Sequence, residues 1–235
     1  MKIDREKVLA SIQGGLIVSC QAEDHEPLGK PEILAAMAKA AVMGGAAGIR
    51  ACYPQNISAI KTAVDVPVIG IYKKVYPDSE VFISATLGEN REVAATNPEI
   101  IALDATARLR PNGEKLAEII AVLRRESDAL LMADISTLNE GIRAAEMGFD
   151  LVGTTLAGYT AYSRAGLNEY APDFNLITKL ARELNSRVPL IAEGRIWNPS
   201  DARKALDLGA YAVVVGSAIT RPWLITERFV KALKD

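Results

Sequence analysis

The sequence predicts an α/β protein: a single (β/α)8 barrel domain over residues 1–235, with a short helix ahead of its first strand. Three observations carry that reading. Short apolar runs rich in β-branched residues occur eight times, continuous rather than alternating, as strands covered on both faces are. Helix-forming segments separate them one for one. The crossings from helix back to strand repeat: Met43-Gly44-Gly45-Ala46, Met147-Gly148-Phe149-Asp150 and Leu208-Gly209-Ala210-Tyr211 share one pattern. Strict alternation of this kind closes most naturally into a barrel. The runner-up, an open doubly wound sheet, lacks its glycine-rich fingerprint after the first strand.

Residues 4–13 read as the leading helix, placed to close the barrel floor. The strands are expected at 16–20, 46–49, 66–71, 100–103, 129–132, 150–153, 188–191 and 211–215. The intervening helices are expected at 31–42, 55–63, 89–95, 113–125, 138–147, 173–185, 199–208 and 223–233. Gly44, Gly148 and Gly209 follow helical segments where a left-handed cap favours glycine. Asn198-Pro199 reads as an N-cap followed by a first-turn proline. An additional short strand, 81–85, falls in the loop after the third barrel strand.

Composition narrows the function. The chain has 235 residues, 49% hydrophobic and 24% charged, with a net charge of -2, so no basic excess invites nucleic acid or an anionic membrane. No apolar run approaches a membrane span, and the N-terminal residues lack a signal-type apolar core. Two cysteines, Cys20 and Cys52, form no disulfide framework and suit a reducing compartment, so a cytoplasmic location is expected. Both read as small core residues. With His25 the single histidine, a zinc site using two histidines is excluded and a nucleophilic triad has one candidate. His25 itself reads as a surface or gating residue. Proton transfer falls to lysine, carboxylate or cysteine.

In a barrel the site forms where the strands end. The first strand ends in Gln21, the second in Arg50, the third in Lys73-Lys74 and the fourth in Asp104. The fifth ends in Asp134, the sixth in Thr154-Thr155, the seventh in Glu193-Gly194-Arg195 and the eighth in Gly216-Ser217. Any one of these could be a first solvated loop residue. Converging on one mouth, they read as a site. The two lysines point opposite ways, so at most one faces that mouth. Small residues at Gly194, Gly216 and Ser217 let backbone amides approach an anion, as the last two loops of such barrels commonly do. Tyr159 and Tyr162 lie in a long loop, 158–172, read either as a lid or as packed surface.

These stretches also resemble a known family. Leu16-Ile17-Val18-Ser19-Cys20-Gln21-Ala22, Gly48-Ile49-Arg50-Ala51, Gly70-Ile71-Tyr72-Lys73 and Ile101-Ala102-Leu103-Asp104-Ala105-Thr106 are similar to the N-acetylmannosamine-6-phosphate 2-epimerases. So are Arg110-Pro111-Asn112-Gly113, Met132-Ala133-Asp134-Ile135-Ser136-Thr137, Thr154-Thr155-Leu156-Ala157-Gly158-Tyr159-Thr160, Glu193-Gly194-Arg195 and Val215-Gly216-Ser217-Ala218-Ile219-Thr220-Arg221-Pro222. Tyr72 and Ser217 are small departures, where an aliphatic residue and a glycine are usual.

The resemblance implies exchange between N-acetylmannosamine 6-phosphate and N-acetylglucosamine 6-phosphate in sialic acid breakdown. It implies catalytic roles for Lys73 and Glu193, and substrate contacts for Gln21, Arg50, Asp134 and Arg221. Phosphate would rest on Gly194, Arg195, Gly216 and Ser217. No cofactor or metal is expected. The expected partner is a sugar phosphate, with a homodimer as the assembly considered.

Elementary chemistry agrees with such roles. Inversion beside a carbonyl removes a carbon-bound proton through an enediolate, and a lysine base must be neutral, far below its ordinary value of about 10.4. Burial and a neighbouring Arg50 push that way; Glu193 opposes it unless protonated or turned to sugar hydroxyls. Arg50 and Gln21 could stabilise the developing oxyanion. Three rivals stay open: a Schiff-base lyase using Lys73, a metal-dependent epimerase or phosphate-sugar decarboxylase using Asp104, Asp134 and Glu193, and a sugar-phosphate-binding barrel without catalysis.

Overall fold

The computed structural model describes residues 3–22, 26–164 and 170–234. Eight parallel strands close on themselves: β1 (Leu16–Cys20), β2 (Gly48–Cys52), β3 (Val68–Ile71), β4 (Ile100–Asp104), β5 (Leu130–Asp134), β6 (Leu151–Gly153), β7 (Leu190–Glu193) and β8 (Ala212–Val215). Each pairs with its neighbours in sequence order, and β8 returns to β1 through Leu16 opposite Val213. The fold is the (β/α)8 barrel expected.

The period of two divides every strand between two cores. Ile17, Ile69, Ile100, Leu130, Met132, Leu151, Ile191 and Val214 fill the barrel interior. Val18, Ile49, Val68, Ile101, Leu131 and Val152 face outward, under the helices. Those helices are α2 (Pro31–Met43), α3 (Pro54–Ala63), α4 (Leu87–Ala94), α5 (Leu116–Glu126), α6 (Leu138–Glu146), α7 (Phe174–Leu184) and α8 (Pro199–Asp207), preceded by α1 (Arg5–Ile12). In α1, Asp4 caps the first turn by accepting from the Lys7 N–H at 3.1 Å, and Val8 and Ile12 are buried against the interior core. That helix does close the floor.

Three local expectations change. The segment 81–85 forms no strand; it makes one isolated bridge, Ile83 to Lys73, because every barrel strand already has two partners. Its apolar residues Val81, Ile83 and Ala85 are nonetheless buried. Gly44 is right-handed at φ -78°; α2 runs to Met43, so the left-handed residue is Gly45, at φ +94°. Asn198 occupies the N-cap position of α8, yet its amide donates to Asp201 Oδ2 at 3.2 Å instead of capping the backbone. The last expected helix forms as α10 (Pro222–Ala232), and a single turn not foreseen, α9 (Ser217–Thr220), precedes it, separated where Pro222 interrupts the backbone pattern.

Candidate active site

The ends of β1, β2, β6, β7 and β8, with the loop after β3, open into a cleft of about 230 Å³. Its walls hold Gln21, Lys73, Glu193, Gly194, Arg195, Gly216, Ser217 and Arg221, eight of the ten residues singled out from sequence. The other two, Arg50 and Asp134, do not line it. They lie beneath, on the strand bodies, with side chains 1% and 0% exposed.

Arg50 and Asp134 reach that depth through register. Arg50 stands opposite Ser19 on β1 and Ile69 on β3, and Asp134 opposite Gly153 on β6. Glycine at 153 makes the room: a Cβ there would collide with the methyl of Met132 and crowd Thr155 and Asp134. The Arg50 guanidinium donates to both Asp134 oxygens, at 3.1 and 2.5 Å, and to Glu193 Oε2 at 2.9 Å. One buried cation therefore serves two carboxylates. Charges so far from water persist only when paired and hydrogen-bonded.

Glu193 ends β7. Thr154 braces its backbone, accepting from its N–H at 3.0 Å and donating to its carbonyl at 2.9 Å. Burial pushes the Glu193 carboxyl up to about 6, against the pull of Arg50 and with the help of Asp134. Lys73 stands two residues beyond β3, its inward direction kept by the bridge to Ile83, while Lys74 is exposed and lies over the Tyr76 ring. Burial first, then Arg50 and Arg221, lower the proton affinity of the Lys73 amine; Cys52 and Glu193 act in the opposite sense. Cys52 is both core and cleft floor, and burial pushes its thiol up to about 11.

The remaining residues are tied in different ways. Gln21 donates to Ser19 Oγ at 2.7 Å, which leaves its Oε1 buried without a hydrogen-bond partner. Arg221 forms an ion pair with Glu26. Arg195, at φ +57°, turns its guanidinium onto the long loop, donating to Ala157 O at 2.8 Å and Ala171 O at 2.9 Å. Gly158 lies directly against it, at φ +78°, where a Cβ would run into the guanidinium. Gly216 precedes α9, which starts at Ser217 and leaves its leading N–H groups outside the helical pattern. In the same loop as Gly158, Tyr159 lines the cleft, and Tyr162 is drawn away to Glu140 Oε1 at 2.6 Å. His25 lies outside the described residues.

Asp104 belongs to a separate network. It accepts from Thr106 and Arg108, whose guanidinium also holds Glu80 O at 2.9 Å in the loop that carries Lys73. Among the described residues no group of three or more histidine, cysteine or acidic side chains is disposed to hold a metal. Sequence reasoning placed Thr155 at the end of the sixth strand without a role, read Cys52 as core, and did not single out Ser19 or Glu26. For Ser19 a signal existed: it lies two positions from Gln21, on the same side of its strand.

Comparison with known proteins gives a consistent picture. Residues 34–235 match the family model described as "NanE: Putative N-acetylmannosamine-6-phosphate epimerase". The chain is 49% identical over 227 residues to a Clostridioides difficile protein named "Putative N-acetylmannosamine-6-phosphate 2-epimerase", covering 97% of this chain and 99% of that one. A Listeria innocua protein of the same name is 50% identical, with 97% of each chain covered. Among solved structures, the N-acetylmannosamine-6-phosphate 2-epimerase from Clostridium perfringens superposes with a TM-score of 0.90 at 48% identity, over 95% of both chains. A thiamine phosphate pyrophosphorylase from Pyrococcus furiosus, at 15% identity and a TM-score of 0.61, shares the fold.

Proposed function

The chain belongs to the N-acetylmannosamine-6-phosphate epimerase family, and from that premise we propose that it inverts C2 of N-acetylmannosamine 6-phosphate to give N-acetylglucosamine 6-phosphate, a step of sialic acid breakdown. The observation that carries the reading is the pair Lys73 and Glu193 on one cleft. The amine is biased towards its neutral form and the carboxyl towards its protonated form. A base and an acid with opposed environments are what two-sided proton transfer requires.

In this mechanism Lys73 takes the C2 proton of the open-chain aldehyde. The electron pair moves onto the aldehyde oxygen, and Glu193 returns a proton to the opposite face. Because C2 carries nitrogen and not oxygen, the intermediate is an enolate, which replaces the enediolate expected from sequence. Arg50, beneath both groups, contributes fixed positive charge that disfavours protonated Lys73. The phosphate rests between Gly194-Arg195 and the start of α9 at Ser217, where a helix presents unmade N–H groups. No step calls on a cofactor.

Proton NMR of N-acetylmannosamine 6-phosphate in deuterated water tests this directly. The expected result is N-acetylglucosamine 6-phosphate carrying solvent deuterium at C2. Absence of interconversion refutes the activity; complete retention of the original hydrogen over many turnovers refutes the proton-transfer route.

A further inference from the structure

Two carboxylates, one guanidinium and one hydroxyl meet at the cleft floor, and counting their protons exposes a choice. Thr155 Oγ1 lies 2.6 Å from Asp134 Oδ1 and 3.1 Å from Glu193 Oε2. A hydroxyl has one proton to donate and lone pairs with which to accept. The shorter contact takes the proton, so Thr155 donates to Asp134. Its oxygen then faces Glu193 Oε2 with lone pairs only, and that contact is favourable when Glu193 carries the proton.

We propose that Thr155 is a positioning residue that holds the shared proton of the site on Glu193, and thereby leaves Lys73 neutral and ready to act as base. With the same total number of protons the pair can exist as neutral amine and carboxylic acid or as ammonium and carboxylate. Only the first matches the reaction proposed above, on which the catalytic part of this inference rests. Thr155 favours it twice: it accepts from protonated Glu193, and it occupies Asp134, which would otherwise compete for the proton. The pair is faced by charged and titratable groups from several elements, Arg195 and Tyr159 on the same cleft among them. Arg50 comes from β2, Asp134 from β5 and Arg221 from the start of α10, with Cys52 beside Lys73. Burial is the main cause of both the raised Glu193 and the lowered Lys73 protonation, and a Thr155 hydroxyl that donated to Glu193 would act the other way, so the role of Thr155 stands on the shorter 2.6 Å contact to Asp134 taking its proton.

The sequence sets up this geometry economically. Gly153, opposite Asp134, leaves room for the Met132 methyl and for the Thr155 hydroxyl, both of which a Cβ there would meet. Thr154 fixes the Glu193 backbone from the adjacent position. Thr155, which lines the cleft, then bridges the carboxyls. Neighbouring threonines thus divide the work, one on the main chain and one on the side chain.

The test uses Thr155→Val, close in shape without the hydroxyl, and Thr155→Ser, which restores it. The first readout is independent of turnover: acetic anhydride labelling of Lys73 against pH in the ligand-free protein, quantified by peptide mass spectrometry. In Thr155→Val the Lys73 labelling profile should move up by about 0.5–1 pH unit, the equivalent of losing one hydrogen bond. The neutral fraction near pH 7 and kcat should both fall about 3–10-fold, with KM little changed. Thr155→Ser should return the profile to within about 0.3 unit of the parent. A Thr155→Val profile that coincides with the parent, or moves to lower pH, overturns the inference. If the labelling shift appears while the parent protein shows no epimerase activity, the function reading fails and the role of Thr155 in the proton balance stands.

Discussion

Replacing Arg50 by methionine isolates the central electrostatic element of this fold. The substitution keeps much of the side-chain volume and removes one buried charge, whose three hydrogen bonds reach Asp134 and Glu193 at 2.5–3.1 Å. Removing one partner of a buried ion pair costs about 3–5 kcal/mol, because the opposite charge stays behind unsatisfied. Here two carboxylates are left together, so the upper part of that range is expected at pH 8. Glu193 has a way out that Arg50 never had: it can take a proton. Its carboxyl is already raised from 4.5 to about 6, and losing Arg50, its largest stabiliser in the charged form, raises it further. A raised carboxyl contributes stability that is complete below its unfolded value and is lost as pH climbs through its folded one. The deficit of Arg50→Met relative to the parent therefore opens as pH rises above about 6, where the parent's Glu193 ionises and the variant's is still protonated, and is smallest at the acid end. Urea denaturation of both proteins at pH 5 and pH 8 measures it. The triple variant Arg50→Met/Asp134→Asn/Glu193→Gln should recover most of the loss at pH 8. A penalty that is the same at both pH values, or below about 1 kcal/mol at pH 8, refutes the account of one cation holding two buried acids.

Lys73→Ala should leave a folded protein with activity reduced by roughly 10²–10⁴-fold, the worth of a positioned general base; Lys74→Ala, exposed and turned away, should keep most of it, and steady-state assays of both check the assignment. Arg221→Ala should raise KM more than it lowers kcat, because a contact made equally in ground and transition states is lost; unchanged KM with collapsed kcat contradicts that role.

The barrel was legible because continuous β-branched runs can be buried on both faces in few other ways. What misread was local and followed from closure. Val81, Ile83 and Ala85 alternate as a strand would, yet a closed barrel offers no edge to pair with, so the segment folds over β3 as a cap and bridges only Lys73. Site residues at strand ends could be listed by position, but depth could not. Arg50 and Asp134 sit below the cleft and not on it, with side chains 1% and 0% exposed. Arg195 looked like a phosphate ligand by its neighbours, Glu193 and Gly194. Its guanidinium also donates to two loop carbonyls, Ala157 O and Ala171 O, a contact that no spacing encodes. Thr155 was placed at a strand end but given no role, because threonine there is equally at home as a β-former, and only the 2.6 and 3.1 Å contacts distinguish the roles.

The distribution of charge at the mouth bears on where the phosphate can go. Arg50 is neutralised by Asp134 and Glu193, and Arg221 carries Glu26 beside it. Arg195 is held differently: its partners are the carbonyls of Ala157 and Ala171, and it pairs with no carboxylate among the described residues. Neutral carbonyls orient a guanidinium without cancelling its charge. The uncompensated positive charge of the cleft therefore stands at the wall formed by Gly194 and Arg195, facing the start of α9 at Ser217. Lys73, if neutral, adds none. In the proposed reaction a dianionic phosphate would be drawn to that wall and away from the Lys73–Glu193 pair, where a second negative charge would raise the proton affinity of the lysine and disable it as a base. Clamping the loop and holding the phosphate are then compatible tasks for one arginine, since hydrogen bonds to the loop fix its position and its charge remains available to the ligand.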